Sequence, residues 1–531
     1  MAALRIGVLA DKDARFAFWE RRLFNALCTD ERFALAAILK TDRPADGGPP
    51  LYRLSMKAES LLFARAPVVE DAAFEAASTS IPAIQLSAGE DLSRLKLDLV
   101  LKHAGGPIPE ALLTAARFGV WSFDFNARPD DKRALAGYWE VRDRAGVSPV
   151  SLIAFDSTVR QGRVIAAGAF NTKFCASRNA SFVKDKSIAL LLRELGRLAS
   201  GSPPAGAGVP YTPPEKSYPG LVSLARYGAG VARNLAGRVV NAVAAKAGAR
   251  PGMWHLRVGE GDLADFDPAS GVDIIPDGNR YWADPFLLSE NGENFIFFED
   301  YDYRTRTGVI SVGRQSPEGF EFLGVALKTN CHLSYPYLFR HEGALYMMPE
   351  TVGNNRIEIW RCVDFPFEWR LQATALDGSL PADSVLFQRD GAWWLFTNLS
   401  TDAYGDHCSD LFVYRVDGPA LTSLEPHRLN PVVVDSATGR NGGRVFERAG
   451  KLYRVSQDNS FGTYGYGVNL MEIERLSLED YGERLVRKIA PDFAPGLIGC
   501  HHMDAVNSRW VLDARKRWGG FPQRKRSTPG G

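Results

Sequence analysis

The chain has 531 residues, too long for one hydrophobic core, so two or three domains are expected. Its composition is that of a globular protein, 45% apolar and 24% charged, and a net charge of +1 gives no general reason to expect nucleic acid as a partner. The six cysteines (Cys28, Cys175, Cys331, Cys362, Cys408, Cys500) are scattered without a CxxC pair, which argues against a metal site or a disulfide framework and fits a reducing, cytoplasmic compartment.

Residues 1–200 alternate strand-like and helix-like patterns. The opening run MAALRIGVLADKDARF has no basic segment followed by a long apolar one, so it does not read as a secretory signal. LRIGVLA (4–10) is a short apolar run of the kind a buried parallel strand needs, FWERRLFNALCTD (18–30) has helical spacing, and FALAAILKT (33–41) is strand-like again. LDLVLKH (97–103) precedes a sharp break at Ala-Gly-Gly-Pro-Ile-Pro. IPEALLTAAR (108–117) reads as a helix with proline near its start, and GVWSFDF (119–125) as a further strand. This rhythm predicts an α/β domain with a parallel, doubly wound sheet. Ligands of such sheets bind beyond the carboxyl ends of the strands, which puts residues 102–107 and 122–127 near any site.

Residues 201–252 read as a connector. The stretch 201–218 (GSPPAGAGVPYTPPEKSY) is a proline- and glycine-rich linker. Residues 219–250 contain no acid but carry Arg226, Arg233, Arg238, Lys246 and Arg250, while Leu221, Leu224, Val231, Leu235, Val239 and Val243 fall near helical spacing. Two readings stand open: a basic amphipathic helix lying peripherally on the anionic face of the inner membrane, or a helix that docks one domain on another. Four glycines between 220 and 237 weaken the helix either way.

Between residues 281 and 515 one motif recurs five times. Its copies open Trp-Ala-Asp-Pro-Phe-Leu-Leu (282–288), Ser-Tyr-Pro-Tyr-Leu-Phe (334–339), Ala-Asp-Ser-Val-Leu-Phe (382–387), Gly-Gly-Arg-Val-Phe (442–446) and His-Met-Asp-Ala-Val (502–506), and each returns as an aromatic-rich second strand. A period of about 50 residues with several short strands per unit predicts a β-propeller, here five-bladed over 253–517. The polar residue opening each copy then sits near the axis, where ligands bind. No run of about 18 uninterrupted apolar residues occurs, so no transmembrane helix is expected. Residues 518–531 read as a basic, disordered tail.

The run DLVLKHAGGPIPEALLTAARFGVWSFDFNARPDDKRALAGYWEVRDRAGVSPVSLIAFDSTVRQGRVIAAG (98–168) resembles the formyltransferase superfamily. That resemblance implies an Asn and a His two residues apart and a distal Asp, which help an amine attack a formyl carbonyl. On this chain those positions hold Ser122, Asp124 and Arg160. An anion at Asp124 opposes a developing oxyanion, so formyl transfer and a reduced-folate cofactor are not expected. The three residues form a degenerate binding pocket or, more simply, an Asp124–Arg160 ion pair.

The segments YWADPFLL, FFEDYDYRTRTGVISV, YPYLFRHEGALYMMPE, GRVFERAGKLYRVSQD and TYGYGVNLMEIERLSLEDYGE resemble the N-terminal domain of glucosamine inositolphosphorylceramide transferase and, more distantly, glycoside hydrolase families 32, 43 and 68. The hydrolase resemblance implies acids on the innermost strands of the first, third and fourth blades, acting as general acid and base or nucleophile. Here the first blade offers Asp284 and the third Asp383, with Glu350 as a stand-in acid; the fourth offers Arg444, which cannot donate a proton near neutral pH. Turn capping is the plainer reading of Asp284 and Asp383, and pairing with one of them the plainer reading of Arg444. Substrate-binding positions are expected at Trp282, Glu299, Tyr335, Arg444, Gln457, Asp458, His501, His502 and Asp504. Trp282 and Tyr335 are placed to stack on a sugar ring. The adjacent histidines, read as strand residues, send only one ring to the axis. The expected function is a carbohydrate-active protein of cell-envelope glycan or glycolipid assembly, with Arg444 pointing to a phosphorylated or acidic sugar. A non-catalytic glycan- or lipid-binding scaffold and an amino-sugar formyltransferase are the alternatives.

Overall fold

The structure is a computed structural model and describes residues 3–517 except 14, 43–47, 64–70, 87–90, 127–134, 203, 205–208, 215, 249–251, 277–278 and 318. The tail 518–531, residue 127 and parts of the proline-rich stretch therefore lie outside the described residues. The chain divides into two compact units. Unit 1 comprises Met1–Arg233 with Thr401–Asp406 and Val434–Ser436, and unit 2 the remainder, the division falling inside the helix Leu221–Lys246.

Unit 1 is built on an eight-stranded sheet in the order Ala83–Gln85, Phe33–Thr41, Leu4–Asp11, Leu99–Lys102, Val120–Asp124, Val147–Phe155, Arg163–Asn171, Val209–Pro210. The first five strands are parallel, as the alternating pattern predicts. Successive residues of one strand enter different cores. Val8, Leu101 and Trp121 pack with Leu190 and Leu195 of the helix Ala176–Ala199, whereas Leu9, Val100 and Val120 pack with Leu112 of the helix Glu110–Ala115. That alternation is what a sheet covered on both faces requires.

From Val120–Asp124 onward the sheet is antiparallel, which departs from the all-parallel expectation. The cause is local. A parallel return needs a crossover of a dozen or more residues, but the link from Phe155 to Arg163 is a tight turn. The Asp156 carboxylate accepts from the Thr158 and Val159 amides, both at 2.8 Å, and at Gly162 (φ 84°) a Cβ would lie 2.7 Å from the Phe155 ring. The proline-rich stretch is also more than a linker: Val209–Pro210 is the sheet's edge strand, Tyr211 donates to Asp124 at 2.9 Å, and Tyr218 packs on Tyr52. Thr401–Asp406 is fastened into unit 1 by the fully buried Lys186–Asp402 pair at 3.1 Å.

Unit 2 is a five-bladed β-propeller. Four blades are four-stranded meanders beginning with the strands Arg280–Glu290, Ser334–His341, Ala382–Arg389 and Asn441–Arg448, the third with an extra short strand. The fifth joins the two ends of the unit: Arg509–Lys516 pairs with Met253–Glu260 on one side and Met503–Val506 on the other. The inner strands contact one another in sequence around a closed ring. The core runs between blades, where Trp369 and Trp394 are buried with Phe286, Phe297, Met347 and Leu395.

Three inner strands share one irregularity. Between Ala283 and Phe286, Ser334 and Tyr337, and Ala382 and Val385, the register slips by one residue against the second strand. The residue after each slip, Asp284, Tyr335 or Asp383, has a positive φ (50°, 47° and 44°). This repeated β-bulge re-aims one side chain per blade at the same level of the axis. The fourth blade has a longer bulge through Gly442 and Gly443, where a Cβ on Gly443 would stand 2.1 Å from the Met503 carbonyl oxygen.

Candidate functional site

The bulges gather a buried polar cluster at one end of the propeller axis. Asp284 lies 3.3 Å from His501 Nε2, and His501 Nδ1 lies 2.7 Å from Asp513. Asp513 in turn accepts the backbone amides of His501 (2.8 Å), His502 (3.0 Å) and Asp284 (3.2 Å). Across the axis Arg440 donates to Asp383 at 2.6 Å and to Glu350 at 3.3 Å, Gln457 donates to the same Asp383 oxygen at 2.8 Å, and the Asp383 amide donates to Glu350 at 3.1 Å. Glu299, directly across the ladder from Ala283, accepts from the Tyr281 hydroxyl at 2.8 Å and lies 3.3 Å from His332 Nε2. Because His332 Nδ1 accepts the Gly308 amide at 2.8 Å, its proton sits on Nε2, aimed at Glu299. Tyr464 faces Arg440 and His501 and is half exposed.

The electrostatics are one-sided. Among the described residues, Asp284, Glu350, Asp383 and Asp513 pair with Arg440 and His501, fewer basic groups than acids. Burial pushes Asp284 up to about 6, with Asp513 and Glu350 adding to it. Burial, reinforced by Asp284, holds Glu299 well above the carboxylate range, and burial with Glu350 and Asp284 does the same for Asp383 against the pull of Arg440. Burial alone would depress His501, but Asp513 and Asp284 outweigh it and raise it. The shifts of Asp284, Glu299 and Asp383 all run upward, so the cluster favours protonated acids, with the protons shared rather than owned by one group. Asp284, His501 and Asp513 bring three ligand atoms within 4.8 Å of one another. Asp284 and Asp513 flank the two ring nitrogens of His501, Asp284 at Nε2 and Asp513 at Nδ1.

The cluster unites Asp284, Glu299, Glu350, Asp383, Gln457 and His501 of the expected positions. Asp284 and Asp383 do not cap turns; their carboxylates reach other blades. Several expectations are corrected. Arg444 pairs with neither Asp284 nor Asp383: it grips Asp504 through two nitrogens, at 2.5 and 2.8 Å, and donates to the Leu287 and Leu338 carbonyls at 3.1 and 3.4 Å. Asp504 also accepts the Leu287 amide at 2.8 Å, so both are structural and Arg444 has no fork left for a phosphate. Tyr335 is fully buried, its hydroxyl bridging the Gly443 carbonyl (2.9 Å) and amide (3.0 Å), and Trp282 is wedged among Phe298, Phe320 and Phe322; neither presents a face to a sugar. Asp458 is engaged by Lys488 at 2.6 Å and by Ser460, and Ser456 rather than Gln457 or Asp458 matches Glu299 in register. Both His501 and His502 approach Asp284, at 3.3 and 3.8 Å, because they precede the strand that starts at Met503. His502 is held neutral by burial, at about 3, and packs edge-on against Phe286 and Tyr335.

In unit 1 the expected Asp124–Arg160 pair is absent. Asp124 takes the Tyr211 hydroxyl, while Arg160 pairs with Glu110 at 2.6 Å, both side chains about 70% exposed. Ser122 is buried within its strand. The sequence reading missed Arg440, Asp513, Tyr281, His332 and Tyr464. Arg440 was findable, since it lies just before the fourth motif copy, but Asp513 sits mid-strand among apolar residues and carries no local signal.

The molecule is thus a five-bladed propeller with carboxylates from three blades gathered at its axis. The family model described as "Glucosamine inositolphosphorylceramide transferase 1, N-terminal" matches residues 272–492. Glucosamine inositolphosphorylceramide transferase 1 of Oryza sativa subsp. japonica is 41% identical over 245 residues, 44% of this chain and 32% of that protein. Its namesake in Arabidopsis thaliana is 34% identical over 209 residues, 39% of this chain and 27% of that protein. The chain thus spans about a third or less of the length of these relatives. Among solved structures, the family 117 glycoside hydrolase Zg3597 of Zobellia galactanivorans covers 50% of this chain and 90% of its own, with 12% identity and a TM-score of 0.33. The β-xylosidase RS223 covers 46% and 94%, with 13% identity and a TM-score of 0.34.

Proposed function

We propose that unit 2 is the sugar-handling part of a carbohydrate-active enzyme of glycolipid or envelope-glycan assembly, and that the acidic axial cluster is where the sugar binds and reacts. The observation that carries this is the convergence of Asp284, Glu299, Glu350 and Asp383 from three blades around Arg440. Carboxylates held by neighbours make directional, charge-assisted hydrogen bonds to sugar hydroxyls. An acid that keeps its proton near neutral pH can protonate a leaving oxygen while an ionised neighbour serves as base or nucleophile. Asp284, Asp383 and Glu350 are the proposed reacting groups, with Glu299, Gln457 and His501 binding and orienting. The printed names of the plant relatives, which specify glucosamine and an inositolphosphorylceramide, support the substrate class.

The excess of carboxylate over cation argues for a neutral or amino sugar, and against the phosphorylated or acidic sugar that a free Arg444 would have favoured. Unit 1 is read as a formyltransferase-like partner domain whose Ser122, Asp124 and Arg160 have separate structural roles, with no folate and no formyl transfer. A second reading, glycan binding without turnover, is favoured by one observation: the fourth-blade position holds Arg444, tied to Asp504, in place of an acid.

Calorimetric titration of the full chain with glucosamine, N-acetylglucosamine and glucose 1-phosphate, followed by mass spectrometry of long incubations with nucleotide-sugar donors, separates the readings. Binding of the amino or neutral sugar with product, lost in Asp284→Asn, is expected. Binding without product establishes the scaffold, and preference for the phosphate overturns the charge argument.

A further inference from the structure

Away from the propeller axis, two helices whose inner faces both belong to unit 1 carry apolar residues on two sides. In the helix Leu221–Lys246, Leu224, Tyr227 and Val231 pack inward with Tyr52, Tyr138 and Val141. A second series, Leu221, Ala225, Ala232, Leu235, Val239 and Val243, follows steps of three, four and seven residues and so forms one continuous stripe. That stripe is exposed: Leu221 is 72% accessible and Val243 61%. Every residue from 232 to 243 is exposed, roughly 18 Å of helix at 1.5 Å per residue.

Such a segment is a poor helix in water by itself. It contains Gly237 and three valines, and it has no Glu–Lys pairs along its surface. Its charge is wholly positive. Arg226, Arg233 and Lys246 take part in none of the ion pairs among the described residues, and no acid occurs anywhere in the helix. The helix Pro50–Phe63 repeats the design. Its Tyr52 and Glu59 point inward, Glu59 accepting the Tyr227 hydroxyl, while Leu51, Leu54, Leu61 and Leu62 are exposed, Leu61 to 81%, beside Arg53 and Lys57. No helix among the described residues is long and apolar enough to cross a membrane.

We propose that the outer face of Leu221–Lys246 is an in-plane anchor that docks the protein on an anionic lipid surface, and that Pro50–Phe63 offers unit 1 a second face of the same kind. A shallow stripe of alanine, valine and leucine bordered by Arg226, Arg233 and Lys246, with low overall hydrophobicity, is what an interfacial helix needs. A protein groove would have to supply acids and a shape to match an all-cationic border, whereas an anionic bilayer supplies charge without shape complementarity. The proposal concerns a different surface from the sugar site and stands or falls apart from it.

The test is vesicle flotation of the full chain, with phosphatidylcholine alone and with about a third phosphatidylglycerol. Flotation is expected only with the anionic vesicles and is expected to weaken in about 0.5 M salt. Val239→Glu with Val243→Glu should cut partitioning about tenfold or more, as should Arg226→Glu with Arg233→Glu. These positions are exposed, and an unchanged circular-dichroism spectrum and melting curve confirm that folding is intact. Leu61→Glu probes the second helix in case the first pair perturbs folding, and should weaken flotation in the same direction. Failure of the full chain to float with anionic vesicles overturns the proposal, as does flotation unaffected by both helix 221–246 variants. A dimer in sedimentation that Val239→Glu dissolves, without vesicle binding, would assign the stripe to a second copy of the chain and equally overturn it.

Discussion

Arg440 and Arg444 enter the propeller axis from the same blade, four residues apart; Arg440 is buried and Arg444 partly buried, each against an aspartate. Their surroundings separate them. Arg444 meets a single carboxylate in a two-pronged pair, and its remaining donors go to backbone carbonyls, so charge and hydrogen bonds both close. Arg440 meets Asp383 and Glu350 in a cluster that holds more acids than it can neutralise, beside a half-exposed tyrosine. A closed pair fixes a fold, whereas an unbalanced cluster stores a demand for protons or for a ligand. What marks a buried charge as functional here is the imbalance around it, not its burial.

The largest test of that contrast is Arg444→Ala against Arg440→Ala. Removing Arg444 strands Asp504 without a counter-ion and should cost about 3–5 kcal/mol in urea unfolding. Removing Arg440 leaves acids already able to share protons, so the stability loss should be visibly smaller while sugar binding is lost. Equal costs for the two would erase the distinction.

Next is Asp284→Asn. The carboxyl sits at about 6 in the folded protein, above its ordinary value of 3.8. An acid that binds its proton more tightly when folded stabilises the fold below the unfolded value, and that stability drains away as pH rises from about 4 through about 6. The amide abolishes this slope. Asp284→Asn should therefore be more stable than the parent at pH 7.5, on the order of 2 kcal/mol, match it near pH 4, and lack turnover. A parent whose stability rises across that window would mean that Asp284 is ionised throughout and that acids held below their ordinary range, such as Asp513, dominate.

The blades were legible because each repeats a local pattern: an apolar strand, a polar turn, an aromatic return. The opening residues Asp284 and Asp383 could be read as axial for the same reason, since the bulge that aims them recurs with the motif. Tyr335 has the same position and the same positive φ, yet it points into packing, so the repeat specifies where a side chain starts and not what it meets. Arg440, Asp513 and His332 were hidden because their roles depend on a neighbouring blade. The parallel half of unit 1 was visible in its apolar runs, but the antiparallel return of Arg163–Asn171 depends on the turn that Asp156 and Gly162 make.

Tyr335→Phe sharpens the same lesson at smaller scale. The hydroxyl joins the second blade to the fourth through both groups of Gly443. Its loss leaves a buried amide and carbonyl short of a partner and should cost about 1–2 kcal/mol of stability with sugar affinity unchanged. A tenfold loss of sugar affinity without loss of stability would restore the stacking role.

The smallest expected effect belongs to unit 1. Arg160 and Glu110 are mostly exposed, and a solvent-exposed ion pair contributes between nothing and about 1 kcal/mol. Arg160→Ala should leave both the melting point of the full chain and the sugar titration unchanged. Asp124→Ala should behave differently, because Asp124 is buried and holds Tyr211, which anchors the stretch following the edge strand Val209–Pro210. If Ser122, Asp124 and Arg160 formed one working constellation, the two variants would fail together. Independent behaviour means that the three positions work separately, as a strand residue, a buried hydrogen bond and a solvated ion pair.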